Sequence, residues 1–265
     1  MFKDIRVEIM DTTLRDGEQT SGVSYTPTEK LSIAKILLLD LQVDRIEVAS
    51  ARVSEGEFLG VKKITKWAKE NGFLDKVEVL GFVDTPQSLD WIDQAGAKVI
   101  NLLTKGSLNH LTHQIKQTPE QHIENIGKSV AYAKSKGIRT NVYLEDWSNG
   151  MRSSKEYVMQ MIKALSQMEI DRIMLPDTLG VLYYEETFKY VRECVESFPN
   201  LHFDFHAHND YDISVANTLE AIKAGAKGIH TTINGLQNVL VAKENMPLEK
   251  PLEKPISKRT WKNWD

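Results

Sequence analysis

The sequence predicts an α/β protein folded as a (β/α)8 TIM barrel, and three observations carry that expectation. Eight short segments rich in Val, Ile, Leu or Phe alternate with longer amphipathic ones. The 265 residues suit one large domain or two small ones. Chemically capable side chains fall at the C-terminal ends of at least six strand candidates: Arg15-Asp16, Glu47, Asp84, Tyr143 with Glu145, Asp177-Thr178, and His206 with His208. In a closed barrel those ends converge on one face. A doubly wound open sheet, the rival, would spread them along a line, and no GxGxxG follows the first strand to favour it.

The strand candidates run in order from "RVEIMDTT" (6–13) through "RIEVAS" (45–50), "KVEVLGFV" (76–83) and "KVINLLTK" (98–105). They continue with "RTNVYLED" (139–146), "RIMLPDT" (172–178), "HFDFHAHND" (202–210) and "GIHTTINGL" (228–236). Helical patterns lie between them. "TPTEKLSIAKILLLDL" opens with Thr26, Pro27 and an early Glu29, which are helix-start signals. "TPEQHIENIGKSVAYAKSKG" opens with Thr118-Pro119 and stops at Gly137. "SLDWIDQAG", "SSKEYVMQMIKALSQM" and "SVANTLEAIKAGA" follow the same scheme. The exit from the first strand, "DTTLRDGEQTSG", is expected to deliver Arg15 and Asp16 to the active face.

Composition narrows the class. The chain is 41% hydrophobic and 26% charged, with a net charge of -4 and both signs interspersed. No basic stripe suggests nucleic acid. Cys194 is the single cysteine, so no internal disulfide forms, and its helical context "YVRECVESF" predicts a small core residue. The N-terminus lacks a signal-peptide layout, and no run approaches the ~18 apolar residues of a membrane helix. A soluble cytoplasmic protein is expected.

"FHAHND" is the sharpest local signal. His206 and His208 alternate along a strand, so their side chains share a face. Such a pair is a two-point clamp for a divalent metal, or two buried, hydrogen-bonded histidines. Asp16 is the carboxylate best placed to complete a metal site suited to Zn, Mn, Fe(II), Co or Mg. A 2-oxo acid can chelate such an ion, which then polarises the keto carbon. Arg15 could clamp the substrate carboxylate or steady a developing alkoxide; it could also form a salt bridge to Glu47 or Glu145. Thr178 could bind the carboxylate or cap the following helix.

"DTTLRDGEQ", "HAHND" and "HTTINGL" together resemble the DRE-TIM metallolyase superfamily over roughly residues 4 to 236. Within it they resemble the Claisen-condensing branch of isopropylmalate, homocitrate and citramalate synthases. "VDRIEVASARVS", "LGFVD", "NLLTKGS", "NVYLEDWSNG" and "LPDTLGVL" look most like the bacterial citramalate synthases. The resemblance implies condensation of acetyl-CoA with pyruvate to give (R)-citramalate and CoA, on a route to isoleucine. It implies that Asp16, His206 and His208 bind the metal, and that Arg15 and Thr178 hold the 2-oxo acid. Leu80, Leu103 and Tyr143 would surround its methyl group. Glu145 would help deprotonate acetyl-CoA, and Glu47 and Gln19 would be polar partners of Arg15.

The resemblance fails after the eighth strand. The family continues with Gly-x-Gly-Glu-Arg-x-Gly-Asn, whose asparagine is usually a further metal ligand. Here the chain reads "NGLQNVLVAKENMPLEKPLEKPISKRTWKNWD", with Gln237 in place of a glycine and Asn245 as a displaced match for the asparagine. Pro247, Pro251 and Pro255 would break an α-helix. The barrel is therefore expected over 1–236, its last helix missing or irregular, and 237–265 is expected to be an extended or disordered tail. A frame change after Leu236 would explain the departure, because one coding of Gln-Asn-Val-Leu-Val reads Glu-Arg-Ala-Gly from its third base. The family's C-terminal subdomains, which complete a dimer, have no match, so a homodimer stays open.

Two other functions compete with the synthase. One is a lyase of the HMG-CoA lyase or 4-hydroxy-2-oxo acid aldolase type. HMG-CoA lyases use a cysteine after the eighth strand, and none occurs here beyond Cys194. The other is a truncated barrel that binds metal and a 2-oxo acid without turnover.

Overall fold

The computed structural model describes residues 6–239. Eight parallel strands close into a barrel in sequence order, β1 against both β2 and β8. They are β1 (Glu8–Asp11), β2 (Arg45–Ser50), β3 (Val77–Phe82), β4 (Val99–Lys105), β5 (Arg139–Glu145), β6 (Arg172–Asp177), β7 (Phe203–Ala207) and β8 (Gly228–Thr231). Each lies within its predicted segment. The main shortening is at the C-terminal ends of β1, β7 and β8, where the chain turns out into loops at the mouth.

Alternation along the strands builds two different surfaces. Ile46, Val48, Val77, Val79, Ile100, Leu102, Val142, Leu144, Ile173 and Leu175 belong to the main core, with the helices. The intervening positions face the barrel interior, where Arg45, Glu47, Glu78, Asn101, Asp204 and His230 are buried. Met10, Leu80, Tyr143 and Met174, with Leu103 beside them, form an apolar plug there.

The helices are α1 (Pro27–Lys35), α2 (Glu55–Asn71), α3 (Gln87–Gln94), α4 (Leu108–His110), α5 (Pro119–Ser135), α6 (Trp147–Ser153), α7 (Lys155–Leu165), α8 (Tyr184–Ser197) and α9 (Ser214–Ala224). Thr26 and Thr118 form capping boxes with Glu29 and Gln121, as their spacing predicts. Helix α1 runs on into a π-turn over Ile36–Asp40. Cys194 is buried, as its helical context predicts.

Two carboxylates expected at the active face serve helix starts instead. Asp84 accepts from the Ser88 backbone and hydroxyl at the start of α3, and pairs with Arg52. Asp177 accepts from the Val181 and Leu182 backbone ahead of α8. After β8 the chain makes an irregular 3₁₀ turn, Ile233–Asn238, and Val239 bridges to His208. The expectations for Asn245, Pro247, Pro251 and Pro255 and for an eighth barrel helix lie outside the described residues.

Candidate metal centre

The loop Thr12–Gly22 leaves β1 under tight control. Thr12 carbonyl accepts from the backbone of Arg15, Asp16 and Gly17, which folds the loop back over the mouth. Glu18 turns the other way, to the buried Lys30 ammonium on α1 at 2.6 Å. Lys30 also donates to the Leu14 and Val48 carbonyls. The two acids of this loop thus have separate tasks: Glu18 anchors it, and Asp16 faces inward.

Asp16 meets the two histidines of β7 and its exit. Asp16 Oδ2 lies 3.2 Å from His206 Nε2, and His206 Nε2 lies 3.2 Å from His208 Nε2. One donor atom from each residue falls within 4.8 Å of the others. Ligands held at about 2.0–2.1 Å around one ion sit roughly 3.0–3.4 Å apart, so this donor set fits a divalent cation. His208 Nδ1 donates to the Gln237 carbonyl at 3.2 Å, which leaves its Nε2 bare on the side of Asp16 and His206. Burial pushes His208 down to about 4, so its ring is neutral at pH 7. Burial works against ionisation of Asp16, but the Arg15 guanidinium beside it holds the carboxyl well below its usual range.

Arg15 spans the floor of the mouth. Its Nε donates to Glu47 Oε2 at 2.6 Å, and one terminal nitrogen lies 3.1 Å from Asp16 Oδ1. The other reaches toward Tyr143 Oη at 3.5 Å. Glu47 is fully buried and also accepts from Thr12 and Asn101, with Asn141 behind Asn101. Oε2 takes both Arg15 and Thr12 and Oε1 takes Asn101, so Glu47 braces the guanidinium. Glu47 is thus the polar partner of Arg15 that the resemblance implies.

The remaining expected residues separate. Leu80, Leu103 and Tyr143 meet in the interior apolar cluster with Met10 and Met174. Glu145 pairs with Lys105 at the rim, not with Arg15. Thr178 Oγ1 accepts from the Asp146 backbone at 2.9 Å; it does not cap α8, and its own proton is free to donate. Gln19 is exposed, and no hydrogen bond joins it to Arg15. Its expected partnership with Arg15 is not formed, because the loop turns after Asp16 and carries Gln19 outward.

Sequence reasoning missed His230 and Asp204. His230 Nδ1 lies 3.1 Å from both Tyr143 Oη and His206 Nδ1. Its Nε2 lies 3.3 Å from Asp204 Oδ2. Burial pushes His230 down to about 4. The signal was present: Asp204, His206 and His208 follow a strict period of two, and "HTTINGL" contains an inward-facing histidine.

Fold and site together define a (β/α)8 barrel with a donor set for a divalent metal at the C-terminal mouth. The chain belongs to the HMGL-like family, whose sequence model matches residues 6–249. It is 34% identical over 232 residues to a homocitrate synthase of Sulfolobus acidocaldarius, covering 88% of this chain and 48% of that protein. It is 35% identical over 232 residues to a 2-isopropylmalate synthase of Sulfurisphaera tokodaii, covering 87% and 58%. The chain thus spans about half the length of the curated relatives it matches. In structure it is similar to a hydroxymethylglutaryl-CoA lyase from Pseudomonas aeruginosa, with a TM-score of 0.70 at 16% identity over 89% of this chain and 82% of that one. It is also similar to the carboxyl transferase domain of Rhizobium etli pyruvate carboxylase, with a TM-score of 0.69 at 15% identity over 89% and 42%. At those identities the likeness is one of fold.

Proposed function

We propose that this barrel carries out a metal-dependent Claisen condensation of acetyl-CoA with a small 2-oxo acid, pyruvate going to (R)-citramalate. The observation that carries this reading is the Asp16–His206–His208 donor set with the braced Arg15 guanidinium against it. Asp16, His206 and His208 would hold the ion. When bound, it supplies Lewis-acid polarisation of the keto oxygen. Arg15 stabilises negative charge as it develops on that oxygen, and Glu47 keeps the guanidinium from swinging away. Leu80, Leu103 and Tyr143 limit the substituent beside the keto carbon; one methylene there is worth only ~1–3 kcal/mol of discrimination. Thr178 retains a hydroxyl proton for the substrate carboxylate.

Glu145, with Lys105 against it, removes a proton from the acetyl-CoA methyl. The resulting carbanion forms the new bond to the keto carbon. Water then cleaves the thioester, which releases CoA and draws the reaction forward. The named relatives, a homocitrate and a 2-isopropylmalate synthase, support this reaction class and leave the acid to be tested.

The test is CoA-thiol release from acetyl-CoA by this 265-residue chain, with pyruvate, 2-oxobutyrate and 2-oxoisovalerate, with and without Mn2+ or Zn2+. Metal-dependent release with pyruvate, abolished in Asp16→Asn, is the expected result. Release favouring a longer acid would reassign the substrate. No release with any acid from a folded, metal-binding chain would reduce the reading to a binding barrel.

A further inference from the structure

We propose that His230 is a positioning residue that fixes His206 with its Nε2 lone pair turned toward Asp16 and His208. The proposal rests on the metal reading above and concerns a residue that the motif comparison left without a role. It follows from counting protons along one chain of contacts. Asp204 sits on the same inward face of β7 as His206, two positions earlier. Arg45 donates to Asp204 Oδ2 at 2.6 Å, and His202 lies 3.0 Å from Oδ1. The buried Asp204 carboxylate can only accept. The His230 Nε2 that faces it at 3.3 Å therefore carries the proton. A neutral imidazole has one N–H, so His230 Nδ1 is an acceptor.

Two groups share that single lone pair at 3.1 Å, the Tyr143 hydroxyl and His206 Nδ1, and two bare nitrogens facing each other at that distance would repel. His206 Nδ1 thus carries its ring's proton, and its Nε2 is bare. His208 reaches the same state by a different route, through the Gln237 carbonyl. The outcome is two imidazole lone pairs and one carboxylate oxygen meeting with no proton among them. Such an arrangement is repulsive by itself and is relieved by a cation. His230 does more than pack, because an apolar residue of equal volume would leave the His206 ring free to rotate and to present Nε2–H. It also ties His206 to Tyr143, so the ligand ring and the substrate pocket share one anchor.

The experiment uses the full chain with 15N-labelled histidine. Long-range 15N–1H correlation of the metal-free protein is expected to show His206 in the Nδ1–H form. In His230→Phe it is expected to show exchange between forms or the Nε2–H form. Calorimetric titration with Mn2+ or Zn2+ is expected to give ~10–100-fold weaker binding for His230→Phe, the usual effect of losing the partner behind a ligating histidine. His230→Gln offers a carbonyl to His206 and an amide N–H to Asp204, and is expected to recover most of the affinity. Thermal melts of all three forms check that each is folded. An Nε2–H His206 in the unaltered protein would overturn the proposal. So would equal metal affinity in His230→Phe, or equal losses in His230→Phe and His230→Gln. Loss of CoA release with these results intact would sink the proposed reaction alone.

Discussion

The two ends of this barrel both bury charge, and they do so for different ends. At the N-terminal end Arg45 lies against Glu78, Asp204 and Glu8, and Arg172 against Glu8 and Asp204. Each acid there faces a guanidinium, which holds Asp204 far below the usual carboxylate range despite its burial. At the mouth Arg15 serves Glu47 and one oxygen of Asp16, and the other Asp16 oxygen faces only imidazole nitrogen. At the closed end the acids and guanidinia meet one another. At the mouth Asp16, His206 and His208 converge as a donor set that fits a divalent cation. Charges paired with one another read as stability, and a convergent donor set reads as a site.

The largest effect is expected at the closed end. Arg45→Met strands Glu78 and Asp204 without their main counter-charge, and removing one partner of a buried ion network costs about 3–5 kcal/mol. Urea denaturation measures it. A loss below about 1 kcal/mol would show that the network is dispensable and the contrast between the ends false.

Arg15→Lys makes the complementary test at the mouth. A lysine keeps the charge but cannot serve Glu47, Asp16 and Tyr143 together, because its donors sit on one nitrogen. Metal-dependent CoA release is expected to fall ~10²–10³-fold, the scale for losing a preorganised donor to a developing oxyanion. The midpoint of unfolding is expected to move far less than in Arg45→Met. Equal destabilisation by the two would mean that Arg15 is structural first.

The outer wall of the mouth shows where function gives way to scaffold. His122 on α5 accepts from the Lys105 backbone at 3.1 Å, which sets the start of the rim that carries Lys105 and Glu145. Burial, and then Lys105, push His122 down to about 4. The folded value lies below the ordinary 6.5, so the neutral ring stabilises fully above that pH and its contribution is lost as pH falls toward 4. At pH 5 the linkage is worth about 2 kcal/mol. His122→Gln keeps an acceptor that does not titrate, so its stability is expected to fall less between pH 7 and pH 5. Parallel unfolding curves for the two proteins over that range would refute the linkage.

Much of this was legible in the sequence because it follows from period and position. Strand–helix alternation gave the barrel, and the His206-x-His208 spacing with Asp16 gave the donor set. Asp84 and Asp177 misled, because a carboxylate at a strand exit can serve a substrate or the next helix start equally well, and only the turn geometry decides. Glu47 was placed near Arg15 correctly, but its commitment to Thr12 and Asn101 depends on residues 35 and 54 positions away. The interior network of Asp204, His230 and Arg45 was visible as alternating polar residues within apolar strands. Its meaning needed the closed barrel, which alone brings β2, β3, β7 and β8 around one axis.

The smallest effect tests the turn after β8, where the chain departs from the family pattern and still reaches the site. Gln237 sits at φ 56, in the left-handed region, and its own carbonyl receives the His208 Nδ1–H. Its N–H donates to Thr20 Oγ1 at 2.7 Å, which ties the turn to the loop after β1. The useful atoms are therefore all main chain. Gln237→Gly is expected to leave metal affinity within about 2-fold, since glycine holds this φ without a steric cost. Gln237→Val is expected to cost about 1–2 kcal/mol, because a β-branched residue resists φ > 0. It is also expected to weaken metal binding by drawing the carbonyl off His208. Calorimetry and thermal melts on both variants separate the cases. If glycine and valine bind metal equally well, His208 needs no acceptor behind it, and the mouth depends on His206 and Asp16 to set its geometry.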